Sequence, residues 1–157
     1  MSRAFALILP VALVALCLAC GGDNDDDAGA ATSAEALVQQ LKDAGLPVAE
    51  TIVYTAETDS NHLLGRPNGY EGKSNFHDSR LKADPDFRLD AGGSIELFPD
   101  GDGAKARKDY IDAIGKNIPT LSEYSYTNGR ALLRLSRALT PDQAKAYAEA
   151  FDKLRVH

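Results

Sequence analysis

Cysteine is nearly absent from this chain, and its two copies, Cys17 and Cys20, sit in the first 20 of 157 positions. No disulfide can therefore form beyond residue 20, although small exported domains often depend on such staples. Histidine is as sparse. His62, His77 and His157 never fall at His-x-x-x-His spacing and no Cys-x-x-Cys occurs, so zinc has no local scaffold. The acidic groups Asp23, Asp25, Asp26, Asp27 and Asp100-Gly101-Asp102-Gly103 lack the spaced ligands and closing glutamate of a calcium loop. Gly101-Asp102-Gly103-Ala104-Lys105 falls short of a phosphate-binding Gly-x-x-x-x-Gly-Lys-Ser/Thr loop, and there is no Gly-x-Ser-x-Gly elbow. Neither a metal nor a cofactor is expected. Basic charge is in deficit too, with 17 Lys and Arg against 23 Asp and Glu. The resulting field repels nucleic acid and anionic membrane surfaces, which sets both aside as partners of the protein surface.

Long apolar runs are missing with one exception, Ala4 to Leu18, interrupted only by Pro10 and preceded by the positive charge of Arg3. That run is shorter than the ~20 residues a bilayer-spanning helix needs. With its small-residue exit it has the form of a cleavable export signal over residues 1–19. Cys20, directly after Leu18-Ala19, resembles the lipobox cysteine of bacterial lipoproteins, with Cys17 standing where leucine is usual. The resemblance implies that Cys20 is lipidated and becomes the new N-terminus, anchoring the protein in the cell membrane and facing outward. Two acyl chains, at ~0.8 kcal/mol per buried CH₂, hold a protein there without help from its surface. Ordinary cleavage after Ala19 is the alternative and yields a secreted protein. Either cut removes one charged residue, Arg3, leaving 16 basic against 23 acidic residues and a net charge of −7.

Gly21 to Ala31 has no large apolar side chain and reads as a self-repelling acidic spacer, so residues 20–32 are the lipidated cysteine and its tether. Residues 33–157 make one domain, long enough for a self-sufficient core. Thr32-Ser33-Ala34-Glu35 predicts a helix start with Thr32 as N-cap, and Leu37, Val38 and Leu41 supply its apolar stripe. Gly45 and Pro47 end it. Glu50 to Thr55 carries branched and aromatic residues on both faces, which predicts a central strand. A second strand is expected near Lys73 to Arg80 and a third over Ser94 to Phe98. The pattern then predicts a helix from Asp102 to Lys116 with Ala106, Tyr110, Ala113 and Ile114 inward. Asn128-Gly129 between two apolar-alternating runs is the strongest short hairpin signal, with Arg134 and Ser136 facing out. Thr140-Pro141-Asp142-Gln143 is a capping box opening a last helix. The order α-β-β-β-α-β-β-α describes an α+β domain: a largely antiparallel sheet of about five strands with helices packed on it.

The stretch from Glu57 to Tyr70 is the least ordinary. Asp, Asn, Gly and Pro mark it as turns, yet Leu63-Leu64 gives it apolar weight, so it is expected to fold down on the domain. Asp59, Asn61, His62, Arg66, Tyr70, His77, Asp78 and Arg80 form the one dense mixture of donors, acceptors, planar cations and an aromatic face. If the second strand folds back beside the loop, these groups line one rim and present a surface to a small ligand or an envelope protein. A competing reading makes each of them structural, so that Asp59 and Asn61 close turns, Arg66 pairs with an acid and Tyr70 packs. An enzymatic alternative, a small hydrolase or transferase, takes His62 or His77 with Asp59 or Asp78 as its pair. An inhibitor or accessory subunit of an envelope enzyme is a third.

Tyr54-Thr55, the run from Asp59 to Tyr70, Gly92 to Asp100 and Leu139 to Ala144 together resemble segments of exported actinobacterial proteins of unknown function. That resemblance implies a high-GC Gram-positive host and brings no activity with it. The expectation is an envelope lipoprotein whose domain binds and does not catalyse.

Overall fold

Residues 32–156 are described in the computed structural model. Cys20, the export segment before it and most of the acidic tether lie outside the described residues, as does His157. The first helix, α1 (Ala34–Asp43), is capped by Ser33, whose hydroxyl accepts the Ala36 amide at 3.0 Å. The Thr32 cap expected from the capping-box spacing is off by one. Ser33 holds the extended backbone, φ −106° and ψ 157°, from which a cap side chain reaches back to the helix. Gly45, at φ +86°, turns the chain out of α1.

Five strands follow: β1 (Val48–Val53), β2 (Gly72–Asp78), β3 (Gly92–Leu97), β4 (Tyr124–Asn128) and β5 (Ala131–Leu135). The helix α2 (Gly101–Asn117) lies between β3 and β4, and α3 (Pro141–Phe151) follows β5. All neighbours in the sheet are antiparallel, in the order β1-β2-β3-β5-β4. The α+β architecture and its element order are those expected. The place of β1 is not. It forms an edge, paired only with β2, and Val53 stays 49 % exposed. Apolar residues on both faces signal a central strand only when both faces are covered, and the far end of β1 is not.

Alternation along β5 separates two cores. Ala131, Leu133 and Leu135 join Phe76, Ile95 and the stripes of α1 and α3 in the larger one. Leu132 points to the other face and meets Tyr70, Phe98 and, from α2, Ala104 and Ile111. Around that small apolar island the second face is polar. Register places Lys73 opposite Glu96, Asn75 opposite Ser94, and Ser94 opposite Arg134 across three strands.

That polar face rotates α2 away from its expected setting. Asp100 caps the helix, accepting the Gly103 amide at 2.8 Å, and the buried positions are Ala104 and Ile111. Tyr110 is left 59 % exposed. The helix sits on charges instead: Arg107 reaches Glu96 at 3.2 Å, and Asp112 accepts the Ser125 hydroxyl at 2.6 Å. Apolar periodicity misplaces a helix when the sheet beneath it is charged. Arg134 and Ser136 likewise do not face out. Arg134 pairs with Glu96 at 2.7 Å and Glu123 at 2.6 Å, while buried Ser136 donates to the Asp90 carbonyl at 3.1 Å.

The β4–β5 turn is Gly129-Arg130, one residue later than the Asn-Gly signal, because Asn128 still pairs with Ala131. Gly129 takes φ +53°, as a primed hairpin turn demands. The Asn128 amide is thereby free to donate to the Phe151 and Leu154 carbonyls at 2.7 and 3.0 Å, tying the hairpin to the end of α3. The capping box of α3 forms as expected, with Thr140 and Gln143 satisfying each other's backbone amides.

Candidate functional site

Asp59 organises the loop that connects β1 to β2. Its carboxylate is fully buried and accepts the backbone amides of Leu63 at 2.9 Å and Leu64 at 3.2 Å. It also takes the Tyr70 hydroxyl at 2.7 Å and Lys73 Nζ at 2.8 Å. Burial by itself would raise this carboxyl; the bonds from Lys73, Tyr70 and the Leu63 amide outweigh it and hold it well below the ordinary carboxylate range. The Tyr70 hydroxyl is pushed well upward, first by burial and then by its bond to Asp59. Leu63 and Leu64 pack against the small core, which brings the loop down onto the sheet as its leucines predict. Gly69 closes it: a Cβ there would lie 1.9 Å from the Leu63 carbonyl oxygen.

The eight residues singled out from sequence do not form one rim. Asp59, Asn61 and Tyr70 come together, with Asn61 Nδ2 donating to the Tyr70 hydroxyl at 3.1 Å. His62, held at φ +52°, and Arg66 are exposed, and neither side chain has a partner among the described residues. Asp78 and Arg80 belong to the opposite face of the sheet. There Asp78 takes Arg80 Nη2 at 2.6 Å and the Tyr147 hydroxyl at 2.9 Å, beneath the stack of Phe76 on Tyr147. Burial raises the Asp78 carboxyl, but the Arg80 and Tyr147 bonds win and leave it below its ordinary value. His77 and Asp78 are neighbours in one strand and so point to opposite faces. His77 instead stacks on Phe87 at 4.1 Å, with Nε2 2.7 Å from the Asp84 carbonyl and Nδ1 3.3 Å from the Glu50 carboxylate. None of the four histidine–aspartate side-chain pairs anticipated from sequence, His62 or His77 with Asp59 or Asp78, is formed. Among the described residues no three His, Cys, Asp or Glu side chains are grouped to hold a metal ion.

Two concavities flank the Asp59 loop. An open outer groove of about 870 Å³ runs between Asn61, Leu63, Asn68 and Gly69 on one wall and Phe98, Pro99 and α2 as far as Tyr110 on the other. A smaller inner pocket of about 170 Å³ lies over the polar face of the sheet. Its floor is Lys73, Asn75, Ser94 and Arg134, and its walls come from Tyr54, Ser60 and Asn61 on one side and Asp86 to Leu89 on the other. Asn61 belongs to both. Phe87 is held over the pocket at φ +50°, a strained setting for an aromatic residue, by its stack on His77 and by Asn75 Nδ2 donating to its carbonyl at 2.7 Å. Lys73 Nζ sits 4.5 Å from the centre of the Tyr54 ring.

Two side-chain atoms on that floor, Asn75 Oδ1 and Ser94 Oγ, are buried and have no hydrogen-bond partner among the described residues. Asn75 is 7 % and Ser94 2 % exposed. A third such atom, Ser74 Oγ, lies on the other face of β2. Sequence reasoning passed over Lys73, Asn75, Ser94 and Arg134. The signal was there: β2 and β3 are central strands, yet alternate positions Lys73, Asn75, His77 and Ser94, Glu96 are polar, which a covered sheet face does not need for packing. No protein-family model matches the chain, and no match is found among curated proteins or among solved structures.

Proposed function

We propose that the protein is a lipid-anchored binding protein of the cell envelope. Cys20 carries the acyl anchor, residues 20–32 hold the domain off the membrane, and the polar side of the sheet binds a small ligand. One observation carries the binding role: Asn75 and Ser94, paired across β2 and β3, line the inner pocket, and their Oδ1 and Oγ are buried without a partner among the described residues. Buried polar groups in folded proteins are paired with few exceptions, so an unpaired acceptor beside an unpaired hydroxyl marks a place for something that hydrogen-bonds. Groups with a purely structural role close on one another, as Asp59 does with Tyr70 and Lys73. The anchor rests on Leu18-Ala19-Cys20 and on an acidic composition that offers no other membrane contact.

Each half has its own test. Intact-mass measurement of the membrane fraction is expected to find acyl mass on an N-terminal cysteine; a bare Cys20 N-terminus refutes the anchor and leaves a secreted binding protein. A library of small polar fragments, followed by backbone amide shifts, is expected to perturb Asn75, Phe87 and Ser94 together. Perturbations confined to the outer groove would move the site there.

A further inference from the structure

We infer that the inner pocket takes one neutral, hydroxylated ring of saccharide type, which rests on the binding role proposed above. Two floor atoms, Asn75 Oδ1 and Ser94 Oγ, set the chemistry; both are closed to solvent as they stand, so a small side-chain adjustment admits the ligand to them. Asn75 Nδ2 is committed to the Phe87 carbonyl, so the amide cannot flip and its Oδ1 needs a donor. Ser94 Oγ, on the residue paired with Asn75 across β2 and β3, can donate or accept. A hydroxyl is donor and acceptor at once, and two adjacent ring hydroxyls answer both atoms. A carboxylate or phosphate brings no donor for Asn75 Oδ1.

Charge leads to the same ligand. Every cation of the pocket already has its carboxylate: Lys73 has Asp59 at 2.8 Å, Arg88 has Asp84 at 2.6 Å, and Arg134 has Glu96 at 2.7 Å and Glu123 at 2.6 Å. An anion finds no uncompensated positive charge here, and Asp86 on the wall repels it. A cationic ligand meets three guanidinium or ammonium groups against the one acid of the lining, Asp86. A neutral polar molecule meets neither penalty. Tyr54 and Phe87 add aromatic walls against which the C–H face of a sugar ring can lie. Size limits the ligand to one ring. About 170 Å³ is room for roughly five or six waters at ~30 Å³ each, well under the ~300–1,000 Å³ of pockets that hold larger ligands.

Titration calorimetry of the mature lipidated protein, in a detergent without a sugar headgroup, tests this. The probes are neutral pentoses and hexoses, their methyl glycosides, short neutral oligosaccharides, and a hexuronate, a hexosamine and free amino acids as charged counterparts. A neutral ring is expected to bind, and Asn75→Ala and Ser94→Ala each to weaken it about tenfold, equivalent to ~1.4 kcal/mol. His62→Ala and Arg66→Ala on the exposed loop are expected to leave it unchanged. Ser94→Ala removes a single oxygen and guards against a folding artefact in Asn75→Ala. Equal affinity for free sugar and glycoside supports a free monosaccharide, and preference for the glycoside supports the terminal ring of a polymer. Tighter binding of the hexuronate or hexosamine, weakened by the same two substitutions, overturns the neutral ring and leaves the binding pocket standing. No heat with any probe, together with no fragment shift at Asn75 or Ser94, overturns both.

Discussion

Replacing Asp59 by asparagine removes one charge from a site where every partner is arranged around it. In the folded protein Asp59 is fully buried and Lys73 is 5 % exposed, with Nζ 2.8 Å from Oδ1. Asp59→Asn keeps the shape but strands the Lys73 ammonium, and turns one acceptor towards the Leu63 and Leu64 amides into a donor. Removing one member of a buried pair costs about 3–5 kcal/mol, because the partner is left charged and unsolvated. For a domain this size that is a large share of a total near 5–15 kcal/mol and lowers Tm by roughly 10–20 °C. The loss has a pH signature. The folded-state carboxyl lies below its ordinary value of 3.8, so its stabilisation is fully present above that value and fades as acid protonates it. Urea unfolding at pH 7, 5, 3 and 2.5 should therefore show a large, constant gap between the parent and Asp59→Asn down to about pH 4. Below that the gap narrows as the pH falls further. Adding Lys73→Met to Asp59→Asn should recover part of the loss, since the stranded charge goes with it. A gap of less than about 1 kcal/mol at pH 7, or one unchanged by acid, would refute the role given to this pair.

Three further outcomes follow from the packing. Tyr147→Phe should cost about 1.5–3 kcal/mol in urea unfolding, because it deletes a hydrogen bond to the buried Asp78 carboxylate; a neutral effect would mean that Arg80 alone satisfies Asp78. Gly69→Ala should destabilise by about 1–3 kcal/mol through overpacking against the Leu63 carbonyl. Its mark should be faster hydrogen exchange at the Gly65 and Leu63 amides, with the α3 amides unaffected; uniform acceleration would deny the loop its independence. Thr140→Ala should cost about 1 kcal/mol by removing the N-cap of α3, measured as a shift in the urea midpoint at constant slope.

Much of the fold is legible along the chain because caps, turns and apolar periodicity are short-range signals. Thr140 and Gln143 are three residues apart, Gly45 ends α1 where the backbone must go left-handed, and Leu37, Val38 and Leu41 need no distant partner to define a face. Those signals fail by one residue at Ser33 and at Gly129, where two adjacent residues are both competent and the backbone selects between them. The candidate site was legible only in part. Asp59, Asn61 and Tyr70 stand out by composition and do meet, but as the internal bracing of a loop. His77 and Asp78 look like companions in sequence and are parted by the pleat.

By itself the sequence determined three helices, five strands, their order, the absence of any disulfide beyond Cys20 and the acidic surface charge. Only the tertiary structure decided that β1 is an edge and that α2 rests on charges. It alone decided that Lys73, Asn75, Ser94 and Arg134 share one covered face. The physical reason is range. Which polar residues face each other depends on cross-strand register and on what covers the sheet, and Asn75, Ser94 and Arg134 become neighbours only once three strands are paired.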